Sequence, residues 1–130
     1  MSEKHGSHWL EREDFGEVTV VRLKVPKLTD DNITRDLFDQ ISTLASEMGR
    51  ILIVLNLAGV EMVYSLGLGK LIMLNRRLQV TGGHLVLCHL RPFVAEVIET
   101  AHLSDVLTIR EDERQAIEQL AGEVNNHEGR

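Results

Sequence analysis

Blocks of apolar residues alternate with polar segments along the chain, and each block predicts one element of secondary structure. Glu17–Leu23 is rich in β-branched residues and predicts a strand, with an edge strand before it at Trp9–Glu13. Ile51–Leu55 and Leu85–Cys88 are apolar without alternation, which indicates strands covered on both faces, as in a parallel sheet. A short run at Val106–Ile109 completes a set of about five strands.

Helical periodicity fills the segments between these strands. Apolar residues recur every three to five positions from Ile33 to Met48, and Gly49 is placed to end that helix. Candidate N-cap residues precede it at Thr29, Asp30 and Asp31. Pro92 suits the first turn of a helix reaching about Ala101, and the pair Asp112 and Gln115 has capping-box spacing for a fourth helix.

The second helix is predicted from about Ser65 to Val80, where Gly82 and Gly83 stop it. Its inward positions are expected to be Leu68, Leu71, Ile72 and Leu78. Its polar face is expected to show Lys70, Asn75, Arg76 and Gln79.

This alternation predicts a single α/β domain with a mixed, mostly parallel sheet and four helices. The domain is expected to span residues 9–121, between a flexible N-terminus at 1–8 and a flexible C-terminus at 122–130. Functional groups in such sheets usually lie at the carboxyl ends of the strands. The loops predicted at that edge are Lys24–Asp31, Asn56–Ser65 and His89–Pro92.

Composition narrows the classes of function. The net charge is −6, and residues 1–50 and residues 51–130 each carry seven Lys or Arg and ten Asp or Glu. Because basic residues are not clustered, binding to nucleic acid or to an anionic membrane is not expected. The single cysteine, Cys88, excludes an internal disulfide and indicates a reducing, cytoplasmic location. The apolar run Ile51–Leu57 is too short to span a bilayer.

Enzymatic motifs are incomplete in this chain. A dinucleotide fingerprint would need a third glycine after Gly67 and Gly69, where Ile72 stands, and a P-loop has no counterpart. A nucleophile elbow around Ser65 lacks its first glycine, because Val63 stands there. Neither a catalytic site nor a cofactor is therefore expected.

Histidine and cysteine do not supply a metal site either. His84 and Cys88 are expected to share one face of a strand, with His89 just beyond it, but no second Cys or His motif stands at zinc spacing. A core cysteine and strand-end histidines are the simpler interpretation.

Ser65 remains as a serine at the start of a helix on the functional edge. In one interpretation it is an N-cap, while Gly67 and Gly69 allow close helix packing. In the other it accepts a phosphate, whose charge the helix N-terminus would stabilise. The residues alone leave both open.

Four segments together resemble the STAS domain, the fold of bacterial anti-anti-sigma factors and of the cytoplasmic part of sulfate transporters. The resemblance covers about residues 16–121. It is carried by Ile51–Leu57, Val60–Met62, Ser65–Gly69 and Thr81–Cys88.

The resemblance implies a regulator of transcription and signal transduction that is not an enzyme. In such anti-sigma factor antagonists the loop reads D-S-S-G-L-G, and an anti-sigma factor that is also a serine kinase phosphorylates the first serine. That serine corresponds to Ser65, and the glycines to Gly67 and Gly69. Tyr64 and Leu66 replace the aspartate and the second serine.

The prediction is therefore a phosphoprotein that binds an anti-sigma factor/serine kinase and is switched at Ser65. The alternative is a STAS scaffold that does not switch, either in a stressosome-like assembly or as an accessory subunit of a transporter. Aliphatic faces leave room for a weak homodimer. The expected partner contacts are Tyr64, Ser65, Leu66, Gly67, Gly69, Lys70 and Arg76.

Overall fold

The computed structural model describes residues 3–128 of the chain. The strands in this range are β1 (Glu3–Gly6), β2 (Leu10–Phe15), β3 (Val18–Leu23), β4 (Lys27–Leu28), β5 (Leu52–Asn56), β6 (Met62–Val63), β7 (His84–Cys88) and β8 (Thr108–Arg110). The helices are α1 (Asn32–Met48), α2 (Ser65–Val80), α3 (Pro92–Thr100) and α4 (Glu113–Glu128).

Six strands form one mixed sheet in the order β1-β2-β3-β5-β7-β8. β1, β2 and β3 are antiparallel neighbours, whereas β3, β5, β7 and β8 run parallel. The short strands β4 and β6 pair separately and in parallel, with Lys27 opposite Met62 and Leu28 opposite Val63. Because the connecting helices return the chain between parallel strands, their first turns gather at the carboxyl ends of those strands.

The helices cover the two faces of the sheet unequally. α1, α2 and α3 bury Leu37, Ile41, Leu71, Leu78 and Ile98 against one face. The opposite face is covered by α4, whose buried residues Ala116 and Leu120 pack against Val18, Val20, Leu52, Val54, Val86 and Cys88. Strands covered on both sides are apolar at successive positions, which explains why Ile51–Leu55 and Leu85–Cys88 do not alternate.

The predicted fold class is confirmed, with one more strand in the main sheet than expected. The added strand β1 lies within the segment predicted to be a flexible N-terminus. There Lys4 stands opposite Glu13 and Gly6 opposite Glu11. Antiparallel pairing uses backbone groups, so a polar segment can join an edge without an apolar pattern.

The far end of the chain also differs from the prediction. α4 extends to Glu128, through the segment expected to be a flexible C-terminus. Residues 1, 2, 129 and 130 lie outside the described residues. The predicted strand at Val106–Ile109 is displaced toward the C-terminus, to Thr108–Arg110.

Candidate functional site

Ser65 is the first residue of α2, at the carboxyl edge of the sheet. The β4–β6 pair leads the chain into this position, and the Tyr64 N–H donates to the Leu28 carbonyl at 2.8 Å. Ser65 is exposed. Its hydroxyl has no hydrogen-bond partner among residues 3–128. The serine is therefore held by the backbone on both sides while its side chain is free.

The interpretation of Ser65 as the N-cap is wrong, because Tyr64 occupies that position. Tyr64 has the extended backbone of an N-cap residue, with φ −98° and ψ 177°, but its side chain makes no capping hydrogen bond. The Tyr64 carbonyl accepts the N–H of Leu68 at 2.9 Å. The N–H groups of Ser65, Leu66 and Gly67 have no partner inside the helix, and the side chain of the N-cap residue accepts none of them.

The two glycines of the motif have different roles. A Cβ at Gly67 would lie 2.6 Å from the carbonyl oxygen of Leu28 and 2.8 Å from its Cβ, so only glycine lets α2 lie this close to β4. A Cβ at Gly69 would meet nothing within 4 Å. Close packing is thus confirmed for Gly67 and wrong for Gly69.

Apolar groups surround the start of α2. Tyr64 is 44% exposed, Leu66 is half-buried, and Phe93 at the start of α3 is 55% exposed. A shallow groove between α2 and α3 is lined by Leu68, Phe93 and Val97. Exposed aromatic and aliphatic side chains grouped beside a groove are typical of protein interaction surfaces.

The predicted basic contacts lie at different distances from Ser65. Lys70 is half-buried in the second turn, whereas Arg76 is exposed near the far end of the helix. Eleven residues separate Arg76 from Ser65, which is roughly 16 Å along the axis. Lys70 is thus the nearer of the two to the motif, and Arg76 belongs to another part of the helix surface.

One residue assigned to the polar face of α2 is buried. Asn75 is only 2% exposed, and its Nδ2 donates to the Val106 carbonyl at 3.4 Å. The loop before β8 covers this position, and the amide satisfies a carbonyl of that loop. The periodicity of the helix could not show this contact, because the loop is distant in sequence.

Sequence reasoning missed an ionic cluster at the same edge of the sheet. Arg22 at the end of β3 donates through Nε and Nη2 to the two oxygens of Glu113, at 2.7 and 2.8 Å. Its Nη1 also lies 2.8 Å from Glu13. The Asn56 amide donates to Glu113 and accepts the N–H of Ala58 at 2.8 Å.

The cluster favours the ionised form of Glu113. Hydrogen bonds from Arg22, and a further one from Asn56, hold the pKa of this carboxyl below its ordinary value of 4.5, against the opposing effect of burial. The sequence signal is an acid in the first turn of α4, a position that the helix dipole alone would explain. Its partner is 91 residues away along the chain.

His84, Cys88 and His89 lie where the sequence predicts. His84 and Cys88 share one face of β7, and the His84 ring contacts the Thr108 hydroxyl at 3.0 Å. Cys88 is buried beneath α4, and burial raises the pKa of its thiol to about 12, so it is a poor nucleophile. No group of three or more potential ligands that could hold a metal ion occurs in the described part of the chain.

The order of strands and helices and the glycine-bearing start of α2 define an α/β domain of the STAS class. The sequence profile of the STAS domain matches residues 11–116, so the chain belongs to the STAS domain family. No curated protein sequence matches the chain significantly. Within residues 3–128, none of the helices has both the length and the apolar character needed to cross a bilayer.

Solved structures share this fold at low sequence identity. An anti-sigma factor antagonist from Mycobacterium paratuberculosis superposes with a TM-score of 0.74 at 19% identity, covering 86% of this chain and 92% of that one. A variant of RsbS from Moorella thermoacetica gives 0.76 at 15% identity, covering 89% and 97%. The unphosphorylated anti-sigma factor antagonist SpoIIAA gives 0.68 at 22% identity, covering 87% and 96%, and the Bacillus protein is also known in its phosphorylated form.

Proposed function

We propose that this protein is a cytoplasmic regulator of the anti-sigma factor antagonist kind, which binds an anti-sigma factor/serine kinase and releases it when Ser65 is phosphorylated. The observation that carries the proposal is the free, exposed hydroxyl of Ser65 at an uncapped helix start, beside exposed Tyr64 and Phe93. Fold similarity to SpoIIAA, which is known with and without phosphate, supports the same role.

The switch has a physical basis in the first turn of α2. Transfer of the γ-phosphoryl group of ATP to the Ser65 oxygen would add about −1.5 to −2 charges at pH 7, with ADP and a proton as the other products. The free N–H groups of the first turn and the helix dipole stabilise an anion at this place. The first turn of α2 would therefore stabilise the phosphate, and the phosphate would not disrupt that turn.

The same charge would weaken a partner contact. The unphosphorylated edge offers Tyr64, Leu66 and Phe93 as apolar contacts, together with Lys70 in the next turn. A partner that covers these side chains would have to remove water from a doubly charged phosphate. Binding and phosphorylation thus oppose each other at one surface.

Phosphosite mapping tests the proposal directly. After incubation with ATP and an anti-sigma factor/serine kinase from the same organism, the wild type should carry one phosphate, on Ser65, and Ser65→Ala should carry none. Ser104→Ala, which changes an exposed serine in another loop, should be modified like the wild type. Modification elsewhere, or none, would contradict the switch.

A pull-down with the same kinase tests the contact. The wild type and Ser65→Ala should bind, whereas Ser65→Asp should bind weakly. Equal binding by all three would favour the alternative, a STAS scaffold without a switch. That alternative has its own support, because Tyr64 and Leu66 replace the aspartate and second serine of the motif it resembles.

A further inference from the structure

α2 and α3 lie side by side on one face of the sheet, because they follow the neighbouring parallel strands β5 and β7. Both helices begin at the carboxyl edge, so the first turn of α3, with Phe93, lies beside the first turn of α2, with Ser65. Helices packed side by side have axes roughly 10 Å apart. Phe93 is therefore within reach of a protein that covers Ser65.

The groove between these two helices has a volume of about 330 Å³, and its walls are mostly carbon. Leu68 lines this α2–α3 groove from α2, and Phe93 and Val97 line it from α3. Leu68 follows Ser65 by three residues, so the two side chains are neighbours on the surface of one helix. The groove thus opens next to the serine proposed to accept the phosphate.

The exposed aromatic residues of the described chain also lie at this edge. The chain has one Trp, one Tyr and three Phe residues. Trp9, Phe15 and Phe38 are buried or half-buried. Tyr64 and Phe93 are the exposed ones, at 44% and 55%. Because aromatic side chains are enriched in protein interfaces and often carry much of the binding free energy, their position indicates a protein-binding edge.

Charge does not distinguish a partner for this surface. Its apolar side chains come from residues 61–70 and 91–100, which carry three acids and two bases. These are Glu61, Glu96, Glu99, Lys70 and Arg91. The adjoining strand β4 adds Lys27, opposite Met62, and makes acids and bases equal in number. Neither an acidic nor a basic partner gains a net electrostatic advantage, so apolar contact is the basis of recognition.

We propose that the α2–α3 groove is a docking site for a large apolar side chain of the anti-sigma factor/serine kinase, with Phe93 as its main contact. This inference rests on the function proposed for Ser65. A kinase whose active site reaches the Ser65 hydroxyl covers the first turn of α2, and the groove is continuous with that turn. Contact with α3, outside the segment that carries the acceptor, then selects the kinase.

Steady-state phosphorylation of Ser65 separates docking from phosphoryl transfer. With ATP and the kinase used for phosphosite mapping, Phe93→Ala should raise the KM for this protein about tenfold and leave kcat unchanged. The reason is that the groove binds the kinase but contacts neither the Ser65 hydroxyl nor ATP. Met48→Ala is the matched control. Met48 is also 55% exposed, but it ends α1 at the opposite edge of the sheet, so its loss should change neither constant.

A second variant changes the groove without removing the aromatic ring. Val97→Asn replaces a half-buried apolar side chain of the groove by a polar one and should also raise KM with kcat unchanged. The melting temperature of each variant, compared with that of the wild type, checks that it is folded under the conditions of the assay.

The proposal is overturned if Ser65 is phosphorylated and folded Phe93→Ala and Val97→Asn keep the KM of the wild type. The function proposed for Ser65 would then stand without this docking site. A fall in kcat with KM unchanged would also overturn it, because the groove would act on phosphoryl transfer. If the protein alone sediments as a dimer that Phe93→Ala makes monomeric, a second copy occupies the groove instead. A wild type that the kinase does not phosphorylate overturns both proposals.

Discussion

α2 and α4 both start at the carboxyl edge of the sheet, yet their first turns are built differently. At α4 the Asp112 carboxylate accepts the N–H of Gln115 at 2.9 Å, and the side chain of Glu113 is held by Arg22 and Asn56. At α2 the N-cap Tyr64 makes no side-chain capping hydrogen bond, and the hydroxyl of Ser65 has no partner in the described residues.

The difference separates a helix start that is closed by its own side chains from one that is left open. Both helix starts carry the positive end of a helix dipole, and both favour a nearby negative charge. α4 receives that charge permanently from its own sequence and is tied to the sheet by it. α2 has no acid in its first turn, so its dipole is available for an added charge.

Replacing Arg22, the cation of β3 that contacts the start of α4, is expected to reduce the stability of the protein most. Arg22→Met leaves Glu11 and Glu113 close together without the guanidinium that both contact. The free energy of unfolding should fall by about 2–3 kcal/mol, measured by urea denaturation. As a control, Arg114→Met removes an exposed pair with Glu118 and should cost less than about 0.5 kcal/mol. Equal losses would show that the α4 cluster contributes no more than a surface pair.

Alanine substitutions at the two glycines of α2 should change the free energy of unfolding in opposite directions. Gly67→Ala forces a methyl group against Leu28 and should lower the free energy of unfolding by about 2 kcal/mol. Gly69→Ala has open space and should raise it by about 0.5–1 kcal/mol, because alanine favours the helix. The same denaturation experiment measures both, and a loss at Gly69 would mean that the two positions are packed alike.

A smaller effect is expected on the loss of stability at acidic pH. Because the pKa of Glu113 is lowered in the folded state, its contribution to stability is complete above the unfolded value of 4.5 and is lost as the pH falls through the folded value. Glu113→Gln should therefore lose less stability than the wild type between pH 5 and pH 3. Asp14 and Asp31 also have lowered pKa values, so some acid dependence should remain. Equal slopes for both proteins would contradict the role of Glu113.

The smallest expected effect is a gain in stability from a substitution at the start of α2. Tyr64→Asp supplies the missing acceptor for an N–H of the first turn and should raise the melting temperature, by the equivalent of about 0.5–1 kcal/mol. Tyr64→Ala removes the same ring without adding an acceptor and should give no gain. If both variants have the same melting temperature, the N–H groups of the first turn of α2 gain nothing from an added acceptor. The two helix starts then do not differ in the way described.

Much of the fold could be predicted, because local patterns carry it. The helix Ser65–Val80 has the predicted bounds, and Gly49 ends α1 with the left-handed backbone expected of a C-cap, at φ 67°. Asp112 caps α4 as predicted, although Gln115 completes the capping box at the N–H of Glu111 instead of that of Asp112. These features depend on residues a few positions apart.

Three of the errors share one cause, which is contact between segments distant in sequence. Helical periodicity places Asn75 on the polar face of its helix, but the loop before β8 covers it. Gly67 and Gly69 look equivalent in the motif, and only the position of β4 distinguishes them. β1 has no apolar pattern, since its pairing with β2 uses the backbone.

The sequence by itself determined the α/β class, the bounds of α2, the single buried cysteine and the location of Ser65 at a helix start on the carboxyl edge. These follow from periodicity, turn residues and composition, which act locally. The tertiary structure decided that Tyr64 and not Ser65 is the N-cap, and that Arg22 joins Glu113. Each of these requires segments that the sheet brings together, and that proximity is set by packing rather than by spacing along the chain.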